Sequence, residues 1–286
     1  MTTGFIEGLQ GLLKSGTQLP TLPTIVFQVH AVLDDDRKGA ADVAALIERD
    51  PALTARLLRA ANSAFYAGGS ERVASVYAAI QRIGLDQVRA LCLVLAVVQA
   101  LGSRRRALNH ETLWGHSGAV GAVARYLWVS THGTGVAADD VYVAGLLHDV
   151  GLLVLDQFFA EEFDRLAGLR QEIELPLWQH EEDLLGMDHG EVGGLLLGSW
   201  SLPGSVVDAV TYHHRPEDAP AKHRKVCEVV QAAELLCSEE GWGLPDEQPL
   251  GADGRSTLSG LGFPPGQVPA IVEDIRSLSA RAAGVA

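Results

Sequence analysis

Basic charge is scarce in this chain. Its 286 residues hold 22 Lys and Arg against 36 Asp and Glu, a formal net charge of −14. A protein that neutralises a run of phosphates needs a basic face, so a nucleic-acid partner is not expected. The main basic run, Arg104-Arg105-Arg106, is short, falls in an expected loop and reads as solvated surface. Cysteine is rare too. Cys92, Cys227 and Cys237 show no CxxC spacing and sit in apolar helical patterns, which fits buried thiols of a reducing compartment better than a disulfide framework. Aromatic residues make up only 6%. No run alternates with period two for long enough to read as a strand. The most apolar stretch, 91–101, falls well short of the roughly twenty residues a membrane span needs. Residues 1–16 lack the charged start and long apolar centre of a signal peptide. These absences lead to the expectation of a cytoplasmic, all-α protein without a membrane partner.

What is present is apolar content of 47%, enough to fill a real core, with Ala and Leu favouring helix. Residues 1–16 read as a lead-in helix and Leu19-Pro20-Thr21-Leu22-Pro23 as a rigid extended stretch. Ile25, Val29, Val32 and Leu33 share one helical face, and Val43, Leu46 and Ile47 another. Asp50-Pro51 is a cap followed by proline at the first helical position. It opens a helix expected to run to about Tyr66, followed by a Gly68-Gly69 turn. Ser75 starts the next helix and Gly84 ends it, and a nearly wholly apolar helix follows over 85–101. Residues 102–109 make a candidate boundary. The expected organisation is one domain over 17–240, divided into helical subdomains at 17–102 and 110–240. A Gly/Pro-rich segment with a peripheral final helix would occupy 241–286.

The second half carries the chemistry. In Ala144-Gly145-Leu146-Leu147-His148-Asp149-Val150-Gly151 an ionisable pair sits inside an apolar run, which is costly unless something satisfies it. On one continuous helix His148 shares a stripe with Val141, Ala144, Gly145 and Leu152 and so faces inward. Asp149 lies about 100° round from it. A core pair that hydrogen-bonds to itself is the competing reading. What weighs against it is company. His116 falls on the apolar stripe of a helix over 113–128. His189 follows Asp188 in a capping box with Glu191. His213 and His214 end a helix with Val206, Val207 and Val210. Glu234 sits on the apolar face of a helix over 226–239. Histidines and carboxylates gathered from several helices suit a first-row transition metal or a two-metal site. His30, His110, His132, His180 and His223 read as surface or loop residues, and Trp114 and Trp200 as core packing.

The ordered set of short motifs resembles the HDOD family, signalling-associated relatives of the HD-domain metal-dependent phosphohydrolases. Its N-terminal marks are Leu19-Pro20-Thr21-Leu22-Pro23, the segment from Asp50-Pro51-Ala52-Leu53, Ala61-Asn62-Ser63-Ala64-Phe65-Tyr66, and Ala79-Ile80-Gln81-Arg82-Ile83-Gly84-Leu85. The C-terminal marks are Trp114-Gly115-His116-Ser117, Gly145-Leu146-Leu147-His148-Asp149-Val150-Gly151, Asp188-His189-Gly190-Glu191-Val192-Gly193 and Tyr212-His213-His214. The resemblance spans residues 19–239. It implies an N-terminal helical bundle packed on an HD-like helical bundle. It places His116, His148, Asp149, His189, His213 and His214 where metal ligands lie, and Glu234 near a closing aspartate.

Two departures bear on activity. Phosphohydrolases of the cyclic-dinucleotide type carry lysine soon after the His-Asp unit, where this chain has Leu152, and leucine cannot hold a phosphate. No Gly-Tyr-Pro motif follows His213-His214, only Arg215-Pro216-Glu217. Three readings stay open. One is a regulatory signalling protein without turnover, whose partners are other signalling proteins. Another is a metal-dependent phosphohydrolase of a nucleotide or cyclic nucleotide, with Asp149 as the bridging catalytic ligand. The third is a nucleotide-responsive module without chemistry. The cofactor expected is one or two divalent ions of iron, manganese, zinc or nickel.

Overall fold

Asp50 starts its helix as the cap-then-proline pattern requires. Its Oδ1 accepts the backbone N–H of Ala52 at 2.9 Å and of Leu53 at 3.0 Å, satisfying two donors that a helix start otherwise leaves orphaned. The computed structural model describes residues 2–15, 24–33, 35, 37–67, 70–101, 107–169, 175–244 and 254–282. The stretch expected over 19–23, the Gly68-Gly69 turn and the Arg104-Arg105-Arg106 run lie outside the described residues. Among the described residues every regular element is a helix.

The first seven helices are α1 (Thr2–Ser15), α2 (Thr24–Leu33), α3 (Ala40–Ile47), α4 (Pro51–Ala61), α5 (Ala64–Ala67), α6 (Val76–Ile83) and α7 (Leu85–Leu101). The helix after Asp50 does not run unbroken to Tyr66. It stops at Ala61, where the Asn62 side chain bonds across to Val73 N–H at 2.8 Å and Val73 carbonyl at 2.9 Å. A side chain that offers the backbone such partners competes with helix continuation. Val29, Val43, Ile47, Leu53, Leu57, Ile80 and Val88 form a small separate core.

The remaining helices are α8 (His110–Ser130), α9 (Ala138–Leu147), α10 (Val150–Phe158), α11 (Ala160–Leu169), α12 (Leu177–Leu185), α13 (His189–Ser199), α14 (Gly204–Tyr212), α15 (Arg224–Cys237), α16 (Gly254–Gly260) and α17 (Val268–Ala282). They enclose the larger core. Helix α7 serves both cores, with Val88, Leu91 and Cys92 in the smaller and Leu93, Val94, Val97 and Leu101 in the larger. Helix α1 crosses to the second bundle, where Phe5 meets Phe159 edge-on at 4.7 Å between ring centroids. The final helix is less peripheral than its sequence suggests. Ile271, Val272 and Ile275 on α17 are buried in the larger core, and the helix packs on α8.

Two features of this bundle set up the site. Helices α8 and α9 touch through glycine on both sides. A Cβ on Gly145 would come within 2.8 Å of Gly121 Cα, so only bare backbone permits the approach. The chain over 138–158 also corrects the single-helix reading of the His-Asp pair. The helix is interrupted at His148 and Asp149, and α10 starts anew at Val150. By length and composition Ala138–Phe158 could cross a membrane, but 94% of its most apolar eighteen-residue stretch lies buried in the protein and an ionisable pair interrupts it, as suits a core segment.

Candidate metal centre

Five helices deliver the six clustered residues. His116 comes from the first half of α8, and His148 and Asp149 from the break between α9 and α10. His189 opens α13, and His213 and His214 follow the end of α14. The Asp188–Glu191 capping box forms as the sequence indicates: Asp188 Oδ1 accepts the Glu191 N–H at 2.8 Å, and Glu191 Oε2 accepts the Asp188 N–H at 3.1 Å. Gly151 lets α10 lie against the start of α13, since a Cβ there would run into the His189 carbonyl.

Four of the five imidazoles are oriented from behind. His116 Nδ1 lies 2.6 Å from the Trp242 carbonyl, His148 Nδ1 2.7 Å from the Gly145 carbonyl, and His213 Nδ1 2.7 Å from the Val210 carbonyl. A carbonyl only accepts, so each Nδ1 carries the proton, and in the neutral ring Nε2 is left as a lone pair aimed inward. His189 is held by a carboxylate. Its backbone N–H and its Nδ1–H both donate to Glu181 Oε2, each at 2.7 Å. A metal-bound imidazole is ordinarily held this way, with its second nitrogen on a carbonyl or carboxylate.

The inward atoms converge. His116 Nε2 and His148 Nε2 stand 3.2 Å apart, and His189 Nε2 and His214 Nε2 3.0 Å apart. Asp149 lies between the two pairs. Its Oδ2 is 3.2 Å from His148 Nε2 and 3.6 Å from His116 Nε2, while its Oδ1 is 3.2 Å from His189 Nε2. The ligand atoms of His116, His148 and Asp149 form one group within 4.8 Å of one another, and those of His189, His213 and His214 a second. Neither Asp149 oxygen accepts a well-formed hydrogen bond, and His213 Nε2 has no hydrogen-bond partner. Asp149 is 1% exposed, His148 and His213 0%. A buried carboxylate costs several kcal/mol unless cationic groups face it. Lone pairs that face each other need a cation or a proton between them. The donor set fits divalent ions in both respects.

Electrostatics without an ion agree. Burial disfavours the charged form of His148, but the adjacent Asp149 carboxylate and the Glu234 charge outweigh it and raise its pKa to about 9. His189 is raised well above the ordinary histidine value: burial opposes this, and Glu181 and Asp149 prevail. His213 and His214 are driven down by burial and by their histidine neighbours. Positive charge is therefore favoured on His148 and His189, the two histidines whose Nε2 atoms lie 3.2 Å from Asp149, and disfavoured on His213 and His214.

Sequence and site compare residue by residue. All six histidine and aspartate candidates come together. His213 is fully buried and His214 half-buried, yet His214 still reaches His189. Glu234 is buried on α15 and acts electrostatically on His148, but it joins neither ligand-atom group among the described residues. His180 is not a surface residue; it is 3% exposed on the inner face of α12. Trp114 packs in the core at 7% exposure, and Trp200 packs against it half-buried. Glu181 escapes the sequence reading, although a signal exists. Leu177, His180, Glu181 and Leu185 share one buried stripe, so α12 turns an acid inward. The covering Trp242 carbonyl comes from the turn Ser238–Trp242 and has no sequence signature.

Comparison with known proteins gives the family and the fold. An HDOD domain protein of unknown function from Geobacter sulfurreducens is 30% identical in sequence. The match covers 98% of this chain and 94% of that one, with a TM-score of 0.76. A protein of Shewanella amazonensis named "Putative phosphohydrolase" shares the fold at 21% identity, over 97% of this chain and 96% of that one, with a TM-score of 0.76. An uncharacterized protein of Treponema pallidum is 26% identical over 217 residues, or 76% of this chain. The match spans only 42% of that relative's length. The HDOD domain family model matches residues 19–216, well over half of the sequence, so this chain belongs to the HDOD domain family.

Proposed function

We propose that this chain is a regulatory HDOD module of bacterial cytoplasmic signal transduction, which holds two divalent transition-metal ions and acts on protein partners without turning over a substrate. One observation carries the reading: the donor set is gathered in one place and shut in. His116, His148, Asp149, His189 and His213 are each at most 2% exposed, so their positions favour a closed site over one with a position open to substrate. His116, His148 and Asp149 would hold one ion, and His189, His213 and His214 the other, with Asp149 shared between them. The buried free thiols of Cys92, Cys227 and Cys237 suit a reducing compartment.

The surroundings support the absence of turnover. Leu152, where the phosphohydrolase pattern has lysine, is buried at 1%. Arg215, next to His214, is engaged by Glu182, Asp188 and Glu191 rather than left to meet a phosphate. Three carboxylates around one guanidinium leave that rim negative, which repels an anionic substrate.

A phosphohydrolase reading is favoured by one feature, the way the two Asp149 oxygens face different imidazoles, as a carboxylate shared by two ions does. Ions held there would supply Lewis-acid chemistry to a phosphoryl group. The test is hydrolysis of a generic phosphodiester and of cyclic dinucleotides by protein loaded with manganese, iron or zinc. The expected result is turnover no faster than that of Asp149→Ala. Turnover that Asp149→Ala abolishes would overturn the regulatory reading in favour of the enzyme. Saturable nucleotide binding without turnover would replace protein partners with a nucleotide signal.

A further inference from the structure

The second ion's ligands come from two turns that are not otherwise continuous, the start of α13 and the end of α14. In each turn the residue adjoining the ligand in sequence carries charge: Asp188 precedes His189, and Arg215 follows His214. These neighbours pair with each other, Arg215 Nη2 donating to Asp188 Oδ2 at 3.1 Å. Asp188 is 1% exposed, and its other oxygen is committed to the Glu191 cap. One carboxylate therefore starts α13 with Oδ1 and takes the guanidinium with Oδ2.

Arg215 has further fixed contacts. It bonds to Glu182 on α12, and its guanidinium carbon lies 5.2 Å from the centroid of the Trp178 ring. Trp178 in turn stacks on His214 with 5.7 Å between centroids and 17° between planes. The same α12 carries Glu181, which orients His189. Arg215 thus ties α12, α13 and the end of α14 together around His189 and His214, whose Nε2 atoms are 3.0 Å apart. Among the described residues no arginine–carboxylate pair adjoins His116 or His148, which are oriented by backbone carbonyls.

We infer that Arg215 and Asp188 form a positioning clamp for the His189–His213–His214 half of the centre, with no direct hold on His116 or His148 in the other half. The inference rests on the two-ion reading above. Breaking the clamp loosens two turns that must stay registered against each other. It also leaves a buried carboxylate without its cation, which is strongly unfavourable.

The experiment is a cobalt(II) titration of the full chain, followed by visible absorption, for the parent, Arg215→Gln, Asp188→Asn and the double variant. Asparagine keeps an oxygen for the Glu191 cap and loses only the acceptor for Arg215, so folding is preserved while the clamp is cut. The parent takes cobalt in two steps. Each single variant weakens one of the two steps, called the second, by roughly 10–100-fold, as changes behind metal ligands do, and leaves the other unmoved. The double variant adds little to either single one, because the two residues act through one contact. Arg215→Lys, which can still pair with Asp188, recovers part of the second step. Two unchanged steps in both single variants would overturn the clamp while leaving the metal centre intact. Equal weakening of both steps would also overturn it, since general loosening is not positioning. A parent that takes one ion or none would overturn the two-ion reading itself.

Discussion

Asp149 stands between His148 and His189 with one carboxylate oxygen 3.2 Å from each Nε2. The first contact is between sequence neighbours, and the second joins residues forty positions apart. The helix break at 148–149 makes both achievable, because Asp149 leaves the α9 spiral and turns toward the start of α13. The separate contacts of its two oxygens suit a carboxylate shared by two ions.

Glu181 holds His189 through both the backbone N–H and the ring. Glu181→Gln removes the charge that sustains this orientation while keeping the size. The expected outcome is roughly 10–100-fold weaker metal binding, with the fold retained. Competition against a chelator of known affinity measures the loss, and far-ultraviolet circular dichroism checks the helices.

Gly151 lies against the His189 carbonyl with no room for a side chain. Gly151→Ala must push α10 away from α13, and overpacking of this kind costs about 1–3 kcal/mol. Urea unfolding reads the stability change directly. Because the displaced helix starts next to Asp149, metal retention is expected to fall as well. The same substitution at Gly4, where an added Cβ would meet nothing within 4 Å, is the control and should cost little.

Asp50 caps α4 in the other bundle, whose core is separate. Asp50→Ala is expected to cost about 1 kcal/mol. Metal content should not change, because no described ligand residue lies on α4. Urea unfolding and elemental analysis of the same preparation check both halves of this statement.

Much of this is legible in sequence because local chemistry dictates it. The Asp50 cap and the Asp188–Glu191 box are set by residues three or fewer positions apart, and Gly84 ends α6 with φ of 91°. His116 can be found because it sits on an apolar stripe, His189 because a capping box places it at a helix start, and His213 and His214 because they end an apolar helix. The less legible features depend on distant parts of the chain. The break at His148–Asp149 interrupts a segment whose periodicity continues smoothly through it. His180 reads as superficial because its helix pattern is short, and Glu181 matters only once α12 lies beside α13. The Trp242 carbonyl reaches His116 across 126 positions, and a backbone oxygen leaves no mark in the residue pattern.

The most direct measurement is the metal content of the purified chain by elemental mass spectrometry, beside Asp149→Ala and His116→Ala. The account predicts about two equivalents of a divalent transition metal in the parent, the two-ion content of a carboxylate-bridged site. It predicts loss of both ions in Asp149→Ala, and loss of at least the ion held with His148 in His116→Ala. A parent that is metal-free after growth and purification with these metals present, and whose variants fold as well as it does, would contradict the account and leave the His-Asp cluster as a self-satisfied polar core.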